Sequence, residues 1–176
     1  MPDGTVRPQF ALMRKNRNTG HNPPHSKKRK EAGQGGGPLR YPKRFWLFAG
    51  AIVALTFVVY LPSLGNGFVR LDDDGYVLEN PLIRSISPSL FTSYCMGNYH
   101  PLVMLVYAVV HAMAGLEPAA YHVVSLVLHL ICTVLVSMVL LELTGKAGVA
   151  ALAGLLFGLQ PVHVESVAWV SALKDP

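Results

Sequence analysis

"AAYHVVSLVLHLICTVLVSMVLL", Ala119 to Leu141, runs for 23 residues without a Lys, Arg, Asp or Glu. A helix needs about 20 consecutive apolar residues to cross a bilayer, so this stretch reads as membrane-spanning. Within it His122, Ser125, His129 and Thr133 recur at steps of three and four, which return side chains to one helical face. Polar groups are costly against lipid, so the stripe is expected to face protein or water. Histidines seven apart suit hydrogen bonding across helices better than ligation of a metal or haem.

Beyond the turn "ELTGK", the run "AGVAALAGLLFGL", Ala147 to Leu159, begins another span whose small residues favour close helix packing. Pro161, lacking an N–H, closes or kinks it, and "VHVESVAW" emerges on the far side. Upstream, "PLVMLVYAVVHAMAGL", Pro101 to Leu116, is apolar but short for a span. It is expected to lie along the interface, with Pro101 in its first turn. "FWLFAGAIVALTFVVYL", Phe45 to Leu61, is the first uncharged run, with Trp46 and Tyr60 placed for the two interfaces. The fold class expected is an all-α integral membrane protein, with spans at 45–61, 119–141 and 147–160, an interfacial helix and an external loop, 62–118.

Charge separates the ends of the chain. Residues 1–44 hold 11 of the 15 Lys and Arg, including "KKRK" at Lys27–Lys30, among Gly, Pro and Asn. Such a segment buries too little apolar surface to offset its ordering entropy and reads as a disordered tail. Basic flanks stay on the cytoplasmic side, so the expectation is a multi-pass protein of the inner (plasma) membrane with a cytoplasmic N-terminus and no nucleic-acid partner. Asp72–Asp74 then lie outside, and His163, Glu165 and Trp169 return to the same side. Cys95 and Cys132 are not expected to pair, since the second lies inside an apolar run.

"LDDDGYVLENP", Leu71 to Pro81, places three carboxylates side by side near a membrane. They can supply a general base, ligate a divalent cation through hard oxygen donors, or form a solvated acidic turn. "QPVHVESVAW" adds His163 and Glu165, able to hold a phosphate-linked donor or a metal, and Trp169, whose face suits a sugar or a lipid.

The ordered motifs "GFVRLDDDGYVLENPLI", "NYHPLVMLVYAV", "GLEPAAYHVVSLVLHL" and "ALAGLLFGLQPVHVESVAWVSALKD" cover about residues 60–175. They resemble the N-terminal part of a bacterial family of polytopic membrane proteins with C-terminal tetratricopeptide repeats, related to the animal TMTC O-mannosyltransferases. The resemblance implies a GT-C glycosyltransferase fold, of which residues 45–176 would be a truncated part. It also implies a hexose, mannose among the candidates, passing from a polyprenyl-phosphate donor to a protein hydroxyl. Asp73 would be the base, with Asp72 and Asp74 beside it. Tyr76, His163, Glu165 and Lys174 would bind donor or substrate, and Asp72 with Glu165 would hold any divalent cation, Mg or Mn. The family pattern has His at the position of Gln160 and Arg at that of Leu173, and an arginine there would grip phosphate bidentately. The competing expectation is a non-catalytic membrane scaffold or an inactive truncated paralogue.

Overall fold

A computed structural model describes residues 41–174. The basic tail expected over residues 1–44 lies outside them, apart from its last four positions. The described chain is helical, and among the described residues the only β-type pairing is an isolated bridge between Cys95 and Asn98. Helix α1 (Lys43–Tyr60) continues into a 3-10 turn at Leu61–Gly65. Helix α2 (Pro101–Ala114) follows a stretch of short turns, and α3 (Pro118–Thr144) is the long central helix. Helix α4 (Ala147–Leu159) is followed by a 3-10 turn at Pro161–His163 and the short α5 (Val164–Ala168).

 The bounds of α4, Ala147–Leu159, give 13 residues, or about 20 Å at 1.5 Å per residue, which falls short of a bilayer's ~30 Å core.

Two helices are long and apolar enough to cross a membrane, Lys43–Gly65 and Pro118–Thr144. A third crossing exists only if Ala147–Leu159 and Pro161–Ala168, bent by 46°, act together. The break has a local cause. Proline disfavours helical geometry in the residue before it, and Gln160 is extended at φ −66°, ψ 127°. The span expected at 147–160 is therefore the first half of a broken helix whose second half, Pro161–Ala168, turns aside.

Packing inverts the pattern of a water-soluble protein. The buried face of α3 carries His122, Ser125, His129, Thr133 and Ser137, while Val127, Ile131, Leu135 and Val139 are exposed. The stripe read from the sequence thus faces protein, as lipid requires. Helix α4 packs against α3 and α1 through Ala147, Ala150, Gly154 and Gly158. A side chain at Gly158 would meet Thr56 Oγ1 at 2.6 Å and Thr133 Cγ2 at 3.0 Å, so the backbones approach closely only because none is present. Between α3 and α4, Gly145 adopts the left-handed conformation (φ 65°) that closes a helix at little steric cost.

The segment between α1 and α2 has its own core. Tyr76, Val77, Ile83, Leu90 and Cys95 pack against Met104, Tyr107 and Ala108 of α2, with Tyr121 and Val170. Both cysteines are free. Asn80 is buried in this core, where its Nδ2 donates to the Tyr76 carbonyl at 2.9 Å and its Oδ1 caps Leu82 N, also at 2.9 Å. The loop expected at 62–118 is thus an ordered layer, with a π-turn at Asp74–Leu78 and 3-10 turns at Pro81–Arg84 and Pro88–Phe91.

Candidate functional site at the junction of two interhelical segments

Breaking a helix at membrane depth frees backbone groups that lipid cannot satisfy. Here side chains from other elements take them up. His129 Nε2 lies 3.1 Å from the Gly158 carbonyl, and His122 Nδ1 lies 3.3 Å from that of Val167. A carbonyl only accepts, so each of these ring nitrogens carries the proton. Tyr107 Oη donates to Val170 O at 2.8 Å, Asn66 Nδ2 to Ala168 O at 3.1 Å, and Tyr60 Oη to Gln160 O at 3.4 Å. The two spanning-helix histidines hydrogen-bond across helices, as their spacing suggested.

Asp73 completes this set as an acceptor of backbone N–H groups. Its Oδ2 accepts from Val69 N and its Oδ1 from Ser171 N, each at 2.8 Å, and the side chain is wholly buried. The first bond closes the turn that leads into the acidic run. The second joins that turn to the backbone of the 3-10 turn Val170–Lys174, 98 residues away. The two segments that carry the predicted acidic residues are therefore tied together through one carboxylate.

The neighbouring residues are placed differently. Asp72 and Asp74 are half-buried. Asp72 has an interaction partner, whereas the Asp74 carboxylate forms no hydrogen bond or ion pair among the described residues. Asp74 opens the π-turn, whose closing bond runs from Glu79 N to Asp74 O at 2.8 Å. A Cβ at Gly75 would meet the Met96 thioether, which would have to swing aside. Tyr76 sits in the core, and its hydroxyl accepts from Asn98 Nδ2 at 2.8 Å.

On the second segment His163 turns inward. Its ring centroid lies 4.5 Å from that of Phe157 and 5.3 Å from that of His129. Glu165 is exposed, and Trp169 is half-buried and engaged with its surroundings. The Lys174 side chain lies outside the described residues. His163 also lines a cavity of about 250 Å³ with Ser125, His129, Cys132, Ser166 and Leu173. Among the described residues no three His, Cys, Asp or Glu side chains gather as metal ligands. Asp72 and Glu165, expected to hold a divalent cation, therefore do not belong to a cluster of three such donors among the described residues.

Sequence reasoning missed Ser171, Tyr107, Asn66 and Ser137. Ser137 was accessible, because it extends the stripe by one more step of four. The others act on backbone carbonyls or through a backbone N–H, which leave no residue-type signature.

The chain matches no protein-family model and no solved structure. It is similar to several animal proteins named protein O-mannosyl-transferases. It is 35% identical over 135 residues to Tmtc1 of Drosophila melanogaster, covering 69% of this chain and 16% of that protein. It is 36% identical over 134 residues to TMTC2 of Homo sapiens, again covering 69% and 16%. It is 30% identical over 132 residues to TMTC3 of Homo sapiens, covering 68% and 14%. The chain thus spans 16% or less of the length of these relatives.

Proposed function

We propose that this chain forms the acceptor-side membrane portion of a GT-C protein O-mannosyl-transferase that takes its sugar from a polyprenyl-phosphate carrier. In this reading the acidic run removes the proton from a protein hydroxyl. The hydroxyl oxygen attacks the anomeric carbon, the sugar–phosphate bond breaks, and the carrier phosphate leaves with the bonding electrons. Configuration inverts. The basic tail stays in the cytoplasm of a bacterial cell, and both acidic segments face outward across the inner membrane.

The observation that carries the reading is the Asp73–Ser171 hydrogen bond at 2.8 Å. It holds the two acidic segments, far apart in sequence, at one end of the helices in a chain similar to O-mannosyl-transferases. A base and a lipid-borne donor must meet at such a junction, since proton transfer needs hydrogen-bond contact with the acceptor.

A membrane scaffold without catalysis is the second reading, and Leu173 favours it. Leu173 lines the cavity beside His129 and His163, where the family pattern supplies an arginine for phosphate.

The test is sugar transfer in proteoliposomes from polyprenyl-phosphate mannose to a Ser/Thr-containing acceptor protein. The chain is assayed alone, joined to the C-terminal part of an active relative, and in that joined form with all three aspartates changed to asparagine. Activity of the joined form that is lost with the triple change supports the transferase. An inactive joined form, beside a relative active in the same assay, supports the scaffold. Recovery with Leu173→Arg would trace that inactivity to the missing guanidinium.

A further inference from the structure

We infer that Asp73 is a positioning residue, a latch between the two interhelical segments, and that Asp74 is the base that meets the acceptor hydroxyl. The assignment of roles rests on the transferase reading. The latch itself rests only on geometry.

Three observations separate the two aspartates. First, a general base must come within about 2.6–3.2 Å of the proton it takes, and the Asp73 side chain is 0% exposed. Second, both of its oxygens already accept backbone N–H groups at 2.8 Å. Charge-assisted bonds of this kind are about twice as strong as neutral ones, so a base at Asp73 would have to break them in every cycle. Third, Asp74 is half-buried and its carboxylate forms no hydrogen bond or ion pair among the described residues. Asp72, by contrast, is engaged by a neighbour.

The latch also has a task. The turn Val170–Lys174 follows the broken helix, and the carbonyls of Val167, Ala168 and Val170 are already held by His122, Asn66 and Tyr107. The Ser171 N–H is the donor in the same stretch that no carbonyl of its own turn takes, and Asp73 accepts it. Releasing Asp73 frees the turn to move away from the acidic run. Asparagine does not replace it, because its amide oxygen can accept from only one of the two donors and its NH₂ then faces the other.

The experiment compares the full chain, Asp73→Asn and Asp74→Asn in nanodiscs by amide hydrogen exchange, and the joined form of each in the transfer assay. Asp73→Asn is expected to raise exchange at Ser171 roughly 10- to 100-fold, the loss of one charge-assisted bond, whereas Asp74→Asn leaves it unchanged. In transfer, Asp73→Asn is expected to lower kcat while its residual rate keeps the wild-type pH profile. Asp74→Asn removes the base and with it the acidic limb of that profile. Unchanged exchange at Ser171 in Asp73→Asn overturns the latch. An altered pH profile in Asp73→Asn, with a normal one in Asp74→Asn, overturns the assignment of the base. If Asp73→Asn fails to accumulate as folded protein, Ser171→Pro, which removes the donor and keeps the carboxylate, takes its place, and unchanged exchange at the neighbouring Ala172 overturns the latch. Absence of transfer in every form defeats the transferase reading, while the exchange data still decide the latch.

Discussion

Changing Gly154 to alanine tests the close approach of α4 to α3. A Cβ at Gly154 would collide with Ser137 Oγ, and would lie 3.3 Å from Ser137 Cβ and 3.5 Å from Thr133 O. Overpacking of this kind costs about 1–3 kcal/mol. Alanine in place of glycine in a helix interior recovers about 1 kcal/mol of that. The net expectation for Gly154→Ala is a loss of up to about 2 kcal/mol. Ser137→Ala removes the obstructing oxygen. It sacrifices only the Ser137 Oγ bond to Thr133 O, at 3.0 Å, whose carbonyl also serves the helix backbone. That single change should cost about 0.5–1 kcal/mol. In the double variant the Cβ–Cβ separation remains tight but the collision is gone, so a favourable coupling of about 1–2 kcal/mol is expected from the cycle. Reversible unfolding of the four proteins by SDS titration in mixed micelles measures it. A Gly154→Ala protein at least as stable as wild type would refute the packing argument, as would a loss that Ser137→Ala leaves unrelieved.

His129→Phe retains a ring between Tyr60 and Phe157 but deprives Gly158 O of its donor. It should lower stability by about 0.6 kcal/mol, and by no more than about 1.7, the average and the maximum for hydrogen bonds between membrane helices, in the same titration. Tyr107→Phe leaves the Val170 carbonyl without its 2.8 Å donor and is expected to cost about 1–3 kcal/mol. Hydrogen exchange in residues 170–174 should rise with it. Tyr41 lies just before α1, where desolvation, then a hydrogen bond to Glu142 and that residue's charge, raise the phenol above its usual 10.0. A raised folded value favours the neutral phenol, so Tyr41's contribution to stability is complete below pH 10.0 and fades as pH climbs through the folded value. Unfolding followed across that range should show a smaller alkaline loss in Tyr41→Phe than in wild type.

The sequence by itself determined the helices and what their faces must do. Uncharged length marks Phe45–Leu61 and Ala119–Leu141 as crossings, within the apolar helices Lys43–Gly65 and Pro118–Thr144 of the structure, and the steps between His122, Ser125, His129 and Thr133 set an inward polar face. Both signals are local, because a helix's period and the cost of polarity in lipid act within a few turns. The kink at Pro161 was legible for the same reason. Its consequence was not, since the freed carbonyls could have been met by any neighbour that folding brought near. Nor could the row of three aspartates tell which one lies buried. That depends on Ser171, 98 positions from Asp73, and on a backbone N–H that every residue but proline carries. Only the tertiary structure, by bringing that N–H to one carboxylate, distinguishes three chemically identical side chains.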